Sequence, residues 1–179
     1  PGDALGVRPV NCPDLVAEWL GVTGLDADYP VELSRIGTVP LGEALSRHLD
    51  ITRITTDLIR FAVDRGAPLK ALLRADNKGE LAKWAWGRQA VDLIAEHAVR
   101  ATAQDWADVL KRLQPRLYSI SSTPLTDPER VSLTVSVVRY GNPGGRTRKG
   151  VCSTHLADAA PGAEVPIFVQ RTTHFRPPT

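Results

Sequence analysis

Methionine is missing altogether from the 179 residues, cysteine occurs twice, and the charges nearly cancel. Each shortage excludes something. Two cysteines, Cys12 and Cys152, can neither build a disulfide framework nor ligate zinc unaided, which points to a reducing, cytoplasmic setting. Lys and Arg number 22 against 20 Asp and Glu, and the one basic run is Arg146, Arg148 and Lys149. No dense basic stripe is available to grip a phosphate backbone, so no nucleic acid is expected as partner. No stretch approaches the roughly 20 apolar residues that cross a bilayer, so no membrane is expected either. With no Met, an opening Pro1-Gly2-Asp3 and a close on Pro177-Pro178-Thr179, the chain reads as a piece of a longer polypeptide.

What is present suits a packed fold. Hydrophobic residues make up 42% and charged residues 23%, which is neither a disordered tail nor a fibre. Ala4-Leu5-Gly6-Val7 suits a short strand after a Pro-Gly turn. Asn11 is placed to cap a helix from Pro13 to about Gly21, with Leu15, Val16, Trp19 and Leu20 at helical spacing. Helical patterns recur at Leu41–Leu49, Ile54–Val63, Ala71–Leu73, Leu81–Trp86 and Ala90–Ala98. A further one opens at Thr102, where Thr102-x-x-Asp105 is a capping box with Asp in place of Glu. Trp84, Trp86 and Trp106 fall in this block and are expected in the core of a small all-helical domain. The pattern changes at Pro115. Leu117–Ser121 and Val131–Tyr140 alternate with period two, as half-buried antiparallel strands do. A turn-rich stretch at Gly141–Gly145, a short helix from Cys152 to Ala159 and a strand from Val165 to Gln170 follow. The economical arrangement is one barrel interrupted by a helical insertion.

Two constellations could carry chemistry. On a strand, Arg116 and Tyr118 share a face while Leu117 and Ser119 share the other. Arg116 offers a planar fork of donors to a phosphate, Tyr118 a ring for a flat heterocycle, and Ser119 a small hydroxyl. The alternative is an ordinary strand with an exposed Arg and a half-buried Tyr. Gly150-Val151-Cys152-Ser153-Thr154 stands directly before a helix. There, free N–H groups and hydroxyls can hold phosphate oxygens, or simply cap the helix. No histidine pairing is identifiable for Cys152 as a nucleophile, which leaves it a small packed side chain.

The order of these motifs, with Thr134-Val135-Ser136 and Arg139-Tyr140 between them, resembles the FAD-binding domain of the diflavin reductases. That family includes the sulfite reductase flavoprotein and NADPH–cytochrome P450 reductase. The opening Pro1–Val7 is similar to the family's early barrel strand, and the helical middle falls where the family inserts its connecting domain. The resemblance implies an α+β fold. An antiparallel FAD-binding β-barrel of the ferredoxin-reductase type (residues 1–11 and 113–179) would be interrupted by an all-α connecting domain (12–112).

The resemblance also implies roles. Arg116 would pair with the FAD pyrophosphate. Tyr118, beside Leu117, would stack on the isoalloxazine. Ser119 would hydrogen-bond near N5 as the catalytic contact. Thr134, Val135 and Ser136 would meet the flavin edge, and Tyr140 would lie along the ribityl–pyrophosphate–adenine part. Gly150, Val151, Cys152, Ser153 and Thr154 would wrap the pyrophosphate, and Thr52 would reach the cofactor from the helical domain. No metal is implied. In the parent protein, electrons would pass from NADPH through FAD and FMN to a haemoprotein, that of sulfite reductase. FMN and NADPH would bind domains of the same parent chain outside this segment. Nitrate reductase or cytochrome P450 as acceptor fits the same residues, and so does a folded interaction module without flavin. His155 departs from the family, which carries an aromatic there. The tail His174-Phe175-Arg176-Pro177 falls where relatives continue into the NADPH domain.

Overall fold

The computed structural model describes residues 2–74, 76 and 78–172; the family-like tail from His174 and the opening Pro1 lie outside them. The chain is α+β with antiparallel sheets, and its contacts divide it into two units. One comprises Asn11–Leu113 with Arg139–Lys149, the other Pro1–Val10 with Gln114–Val138 and Gly150–Thr179. The stretch Arg139–Lys149 therefore groups with the helical residues, although sequence order puts it amid the β-rich tail. No helix among the described residues is long and apolar enough to cross a membrane.

The helical unit begins with α1 (Pro13–Thr23), whose buried Leu15, Trp19 and Thr23 recur every four residues on one face. Pro13 opens it, and Gly24 closes it in the left-handed region (φ 71°), its N–H bonding to Leu20 O. Asn11 does not cap this helix; Cys12 occupies that position. The Asn11 amide is buried instead and donates to Leu45 O at 2.6 Å and Leu49 O at 2.7 Å. Leu45 lies in a π-helical turn, Ala44–His48, that continues α2 (Leu41–Glu43), and Leu49 is the extended residue that ends it. An unpaired carbonyl at such a turn needs a donor, and that demand outweighs the cap.

Between α1 and α2 lies a hairpin that the sequence reading passed over, β2 (Pro30–Leu33) and β3 (Gly37–Pro40). Its period-two signal is short: Val31 and Leu33 are buried in the core, and Val39 packs against it half-buried. Then come α3 (Thr56–Val63), a 3₁₀ turn (Lys70–Leu73), α4 (Lys78–Ala85), α5 (Ala90–Glu96) and α6 (Ala103–Val109). The Thr102–Asp105 box forms in both directions, so the shorter Asp serves as well as Glu. Gln104 on α6 meets the Glu32 backbone with both ends of its amide, accepting from N–H at 2.8 Å and donating to C=O at 3.1 Å. Trp19 and Trp106 are fully buried and meet edge to face, with centroids 5.2 Å apart. Trp84 is half-buried beside His97 and Arg88. Trp86, expected in the core, is 82% exposed. It falls just past the end of α4, in the turn before Gly87, so the helical stripe no longer governs where it points.

The unit also holds β5 (Arg139–Gly141) and β6 (Thr147–Lys149), paired Arg139 to Lys149, Tyr140 to Arg148 and Gly141 to Thr147. Arg148 turns inward with its side chain 4% exposed and lies between two acids. Its guanidinium reaches Glu18 at 2.6 and 3.0 Å and Asp92 through Nε at 3.1 Å and through Nη2. Asp92, equally buried, also accepts from Asn142 Nδ2 at 2.7 Å and from the Gln89 N–H at 2.8 Å. Gln89 Nε2 donates to Lys149 O at 3.0 Å, and Arg146 adds a second pair to Glu18. The Arg148 hydrogen bonds, opposed by burial, hold the Glu18 carboxyl below its usual range. Burial works against the Arg148 charge, but bonds to Glu18 and Asp92 overcome it and raise its pKa.

The other unit is built on a three-stranded antiparallel sheet. β1 (Ala4–Val7) lies between β4 (Arg116–Ser119) and β7 (Ile167–Gln170), which are its edges among the described residues. Gly6 faces Phe168 across the ladder, and a Cβ on Gly6 would sit 2.2 Å from the ring. Glycine is therefore demanded by close approach rather than by dihedral. The long strand expected over Val131–Tyr140 does not form as one element. Leu133 bridges to Ile120, and pairing resumes only at Arg139, with β6. Period two marks a segment able to line a sheet, but a ladder needs a second segment alongside.

Candidate functional site

The β unit holds twelve of the fourteen candidate site residues. Thr52 and Tyr140 belong to the helical unit, where Thr52 Oγ1 donates to Asp50 Oδ1 at 2.7 Å and Tyr140 is half-buried opposite Arg148. In the β unit, edge strand β4 presents Arg116, Leu117 and Ser119 exposed and Tyr118 half-buried. The Arg116 guanidinium makes one bond to its own strand's approach, Nη1 to Gln114 O at 3.2 Å. Thr134 and Ser136 are exposed and Val135 is half-buried, all on irregular backbone.

The structure brings β4 to the start of α7 (Val151–Ala157). The Tyr118 hydroxyl meets the buried Cys152 thiol, with the Arg116 charge nearby. Burial first, then the contact with Cys152, pushes the Tyr118 hydroxyl up to about 12, against the pull of Arg116. Burial likewise pushes the Cys152 thiol up, opposed by Tyr118 and Arg116, so it stays protonated at neutral pH. A protonated, buried thiol is packing rather than a nucleophile. Burial pushes His155 down, leaving the imidazole neutral at neutral pH. Tyr118, Cys152 and His155 are all uncharged, and Arg116 is the cation among them.

Local geometry at Gly150 is a strand-to-helix switch. The Gly150 N–H donates to Val138 O at 2.9 Å, as in a ladder. The Val138 N–H donates to Ser153 Oγ at 3.2 Å. Gly150 O is thereby left for Thr154, accepting its N–H at 3.2 Å and its Oγ1–H at 2.6 Å. A Cβ on Gly150 would lie 2.9 Å from both Ser153 Oγ and Val138 Cβ, so the position has no room for one. Thr154 is buried with its hydroxyl turned back onto the helix, while Ser153 accepts through oxygen and keeps its proton to donate. No side chain caps the first turn of α7. Val138 was missed by sequence reasoning. Its signal is register alone, because it continues the β5–β6 pairing by one step.

An exposed guanidinium, a neutral tyrosine ring, the Ser119 and Ser153 hydroxyls and uncapped amides form one donor set in one unit. Leu117, Val137 and Val138 add exposed apolar surface in that unit, at 50%, 44% and 46%. Such a set fits a ligand that joins anionic phosphates to a flat apolar ring system.

Comparison with known proteins agrees. A family model described as FAD binding domain matches residues 1–155. The chain is 37% identical over 183 residues to the sulfite reductase [NADPH] flavoprotein alpha-component of Bacillus subtilis (strain 168). It is 39% identical over 180 residues to the protein of that name from Mannheimia succiniciproducens, and 37% identical over 179 residues to that from Photorhabdus laumondii. Each match covers 99% of this chain and 30% of the relative, so the chain spans under a third of those proteins.

Proposed function

The chain belongs to the FAD binding domain family, and from that membership we propose that it is the FAD-holding part of an NADPH-dependent diflavin reductase. In this reading the sheet of β1, β4 and β7 is part of a ferredoxin-reductase-type barrel, and Asn11–Leu113 is the connecting domain. FMN and NADPH belong to other domains of the parent chain, and the electron acceptor is a sulfite reductase haemoprotein. The names of the relatives, which include sulfite reductase, NADPH and flavoprotein, support this reading.

The observation that carries the reading is the pairing of Arg116 with a neutral Tyr118 in the unit that also holds Val138, Gly150 and Ser153. Arg116 neutralises the pyrophosphate charge with a bidentate fork. Tyr118 keeps its proton throughout the physiological range, so its ring meets the isoalloxazine without a charge. Ser119 donates to the ring edge near N5. Thr134, Val135 and Ser136 line that edge. Ser153 donates to phosphate oxygen while Gly150, Val151 and Cys152 supply the close backbone. Bound FAD supplies the chemistry of accepting electrons in pairs and releasing them singly, and these residues bind and orient it.

Titration with FAD, followed by flavin fluorescence, tests the reading. Wild type binds with quenching and a shifted visible band, and Tyr118→Ala binds with the quenching diminished. A chain that leaves free-flavin spectra unchanged refutes it. In the full-length reductase, Ser119→Ala lowers the rate of flavin reduction by NADPH more than it lowers FAD occupancy, as stopped-flow at full loading reads.

A further inference from the structure

Arg148, Asp92 and Glu18 take no part in the donor set above, yet no ion cluster among the described residues is more deeply withdrawn from water. All three lie in the helical unit, where they pin β6. The peptide bonds Val138–Arg139 and Lys149–Gly150 join this hairpin to the β unit. The β5–β6 register pairs Arg139 with Lys149, so the next pair outward is Val138 with Gly150. The Gly150 N–H donates to Val138 O, as that register requires. The return bond of the pair is replaced: the Val138 N–H goes to Ser153 Oγ, and the Gly150 carbonyl starts α7. Register is what makes the switch possible. A slip of one residue would turn Thr147 or Lys149 inward and Arg148 out, leaving Asp92 buried without its guanidinium.

We propose that Arg148 is a positioning residue for the cofactor loop: its bonds to Asp92 and Glu18 set the hairpin register from which the Val138–Gly150–Ser153 switch is built. The proposal rests on the FAD reading above. The guanidinium serves because it forks to two carboxylates at once; an ammonium reaches one. Tolerance at the switch is small, because even a Cβ added at Gly150 would lie 2.9 Å from Ser153 Oγ and Val138 Cβ.

The test compares the 179-residue chain with Arg148→Lys and with the neutral combination Arg148→Met, Asp92→Asn, Glu18→Gln, which leaves no buried charge uncompensated. Amide hydrogen exchange is read at Val138 and Gly150, and FAD itself is the titrant. In the neutral combination these two amides exchange about tenfold faster while the amides of Ile59 and Trp106 keep their protection, and the FAD Kd rises about tenfold. Arg148→Lys falls between, and it decides alone should the combination fail to fold. Unchanged exchange at Gly150 in a folded variant overturns the proposal, and so does faster exchange with undiminished FAD affinity. A wild-type chain that binds no FAD fails the functional reading instead, while the exchange arm still reports on the hairpin.

Discussion

The two units bury their apolar residues very differently. In the helical unit Trp19, Leu45, Ile51, Ile59, Leu93 and Trp106 are all sealed from water around a single core. In the β unit Leu5 and Val7 are buried, whereas Val131, Ile167 and Val169 are each more than half exposed. The first unit is held by packing, and a packed core resists change everywhere. The second is a framework with open apolar surface, and its polar contacts, not its core, give residues 116–119 and 150–154 their arrangement. That contrast suits one unit that is a scaffold and another whose surface is open to a ligand.

The largest effect should come from the core. Trp106→Ala removes a ring packed between Trp19 and Phe61 and should cost about 3–5 kcal/mol in chemical denaturation. Val169→Ala in the exposed β7 should cost less than about 1 kcal/mol. Equal costs would erase the distinction between the units. Next comes the guanidinium of the open unit. Arg116→Ala should weaken FAD binding by about 1.5–3 kcal/mol, and Arg116→Lys should restore only part of it, with no loss of folding stability in either. Fluorescence titration with a parallel melt checks both halves. Tyr118→Ala should loosen FAD by about 1–1.5 kcal/mol, the stacking contribution of one ring.

Two pH effects sharpen the comparison further. The depressed Glu18 carboxyl contributes stability that is present above the usual glutamate range and lost as pH falls through its lower folded value. Acid should therefore loosen the helical unit first at β5–β6, as amide exchange at Tyr140 and Arg148 would register. The raised Cys152 thiol works in the other sense. Its contribution is present below the ordinary thiol value and lost as pH rises through the folded one. Iodoacetamide at neutral pH should label half-exposed Cys12 and leave buried Cys152 nearly untouched. Rapid labelling of Cys152 would put its thiolate back among the reactive groups.

Much of the helical unit was legible in the sequence. Its helices follow three-and-four spacing, and Thr102 with Asp105 signalled a start through contacts only three residues apart. The candidate site was legible as two motifs, Arg116–Ser119 and Gly150–Thr154, which the fold brings together through Tyr118 and Cys152. Trp86 misled because helical spacing says nothing once the helix has ended. Val131–Tyr140 misled because alternation describes side chains, while a strand is a relation to a neighbour.

By itself the sequence determined periodicity, caps and the donor types available at the site, since these depend on residues within a few positions of one another. Only the tertiary structure decided that Asn11 serves a π-helical turn and the residue that ends it, 34 and 38 residues away, or that Arg148 lies between acids 56 and 130 residues distant. A buried polar group must find a partner wherever the fold supplies one, and the identity of that partner is set by which segments pack together. Nothing in Arg146-Thr147-Arg148-Lys149 distinguishes the two arginines: two residues apart, both reach Glu18, and the one inside β6 is sealed only because the buried Asp92 packs against it, while the one just before the strand stays exposed.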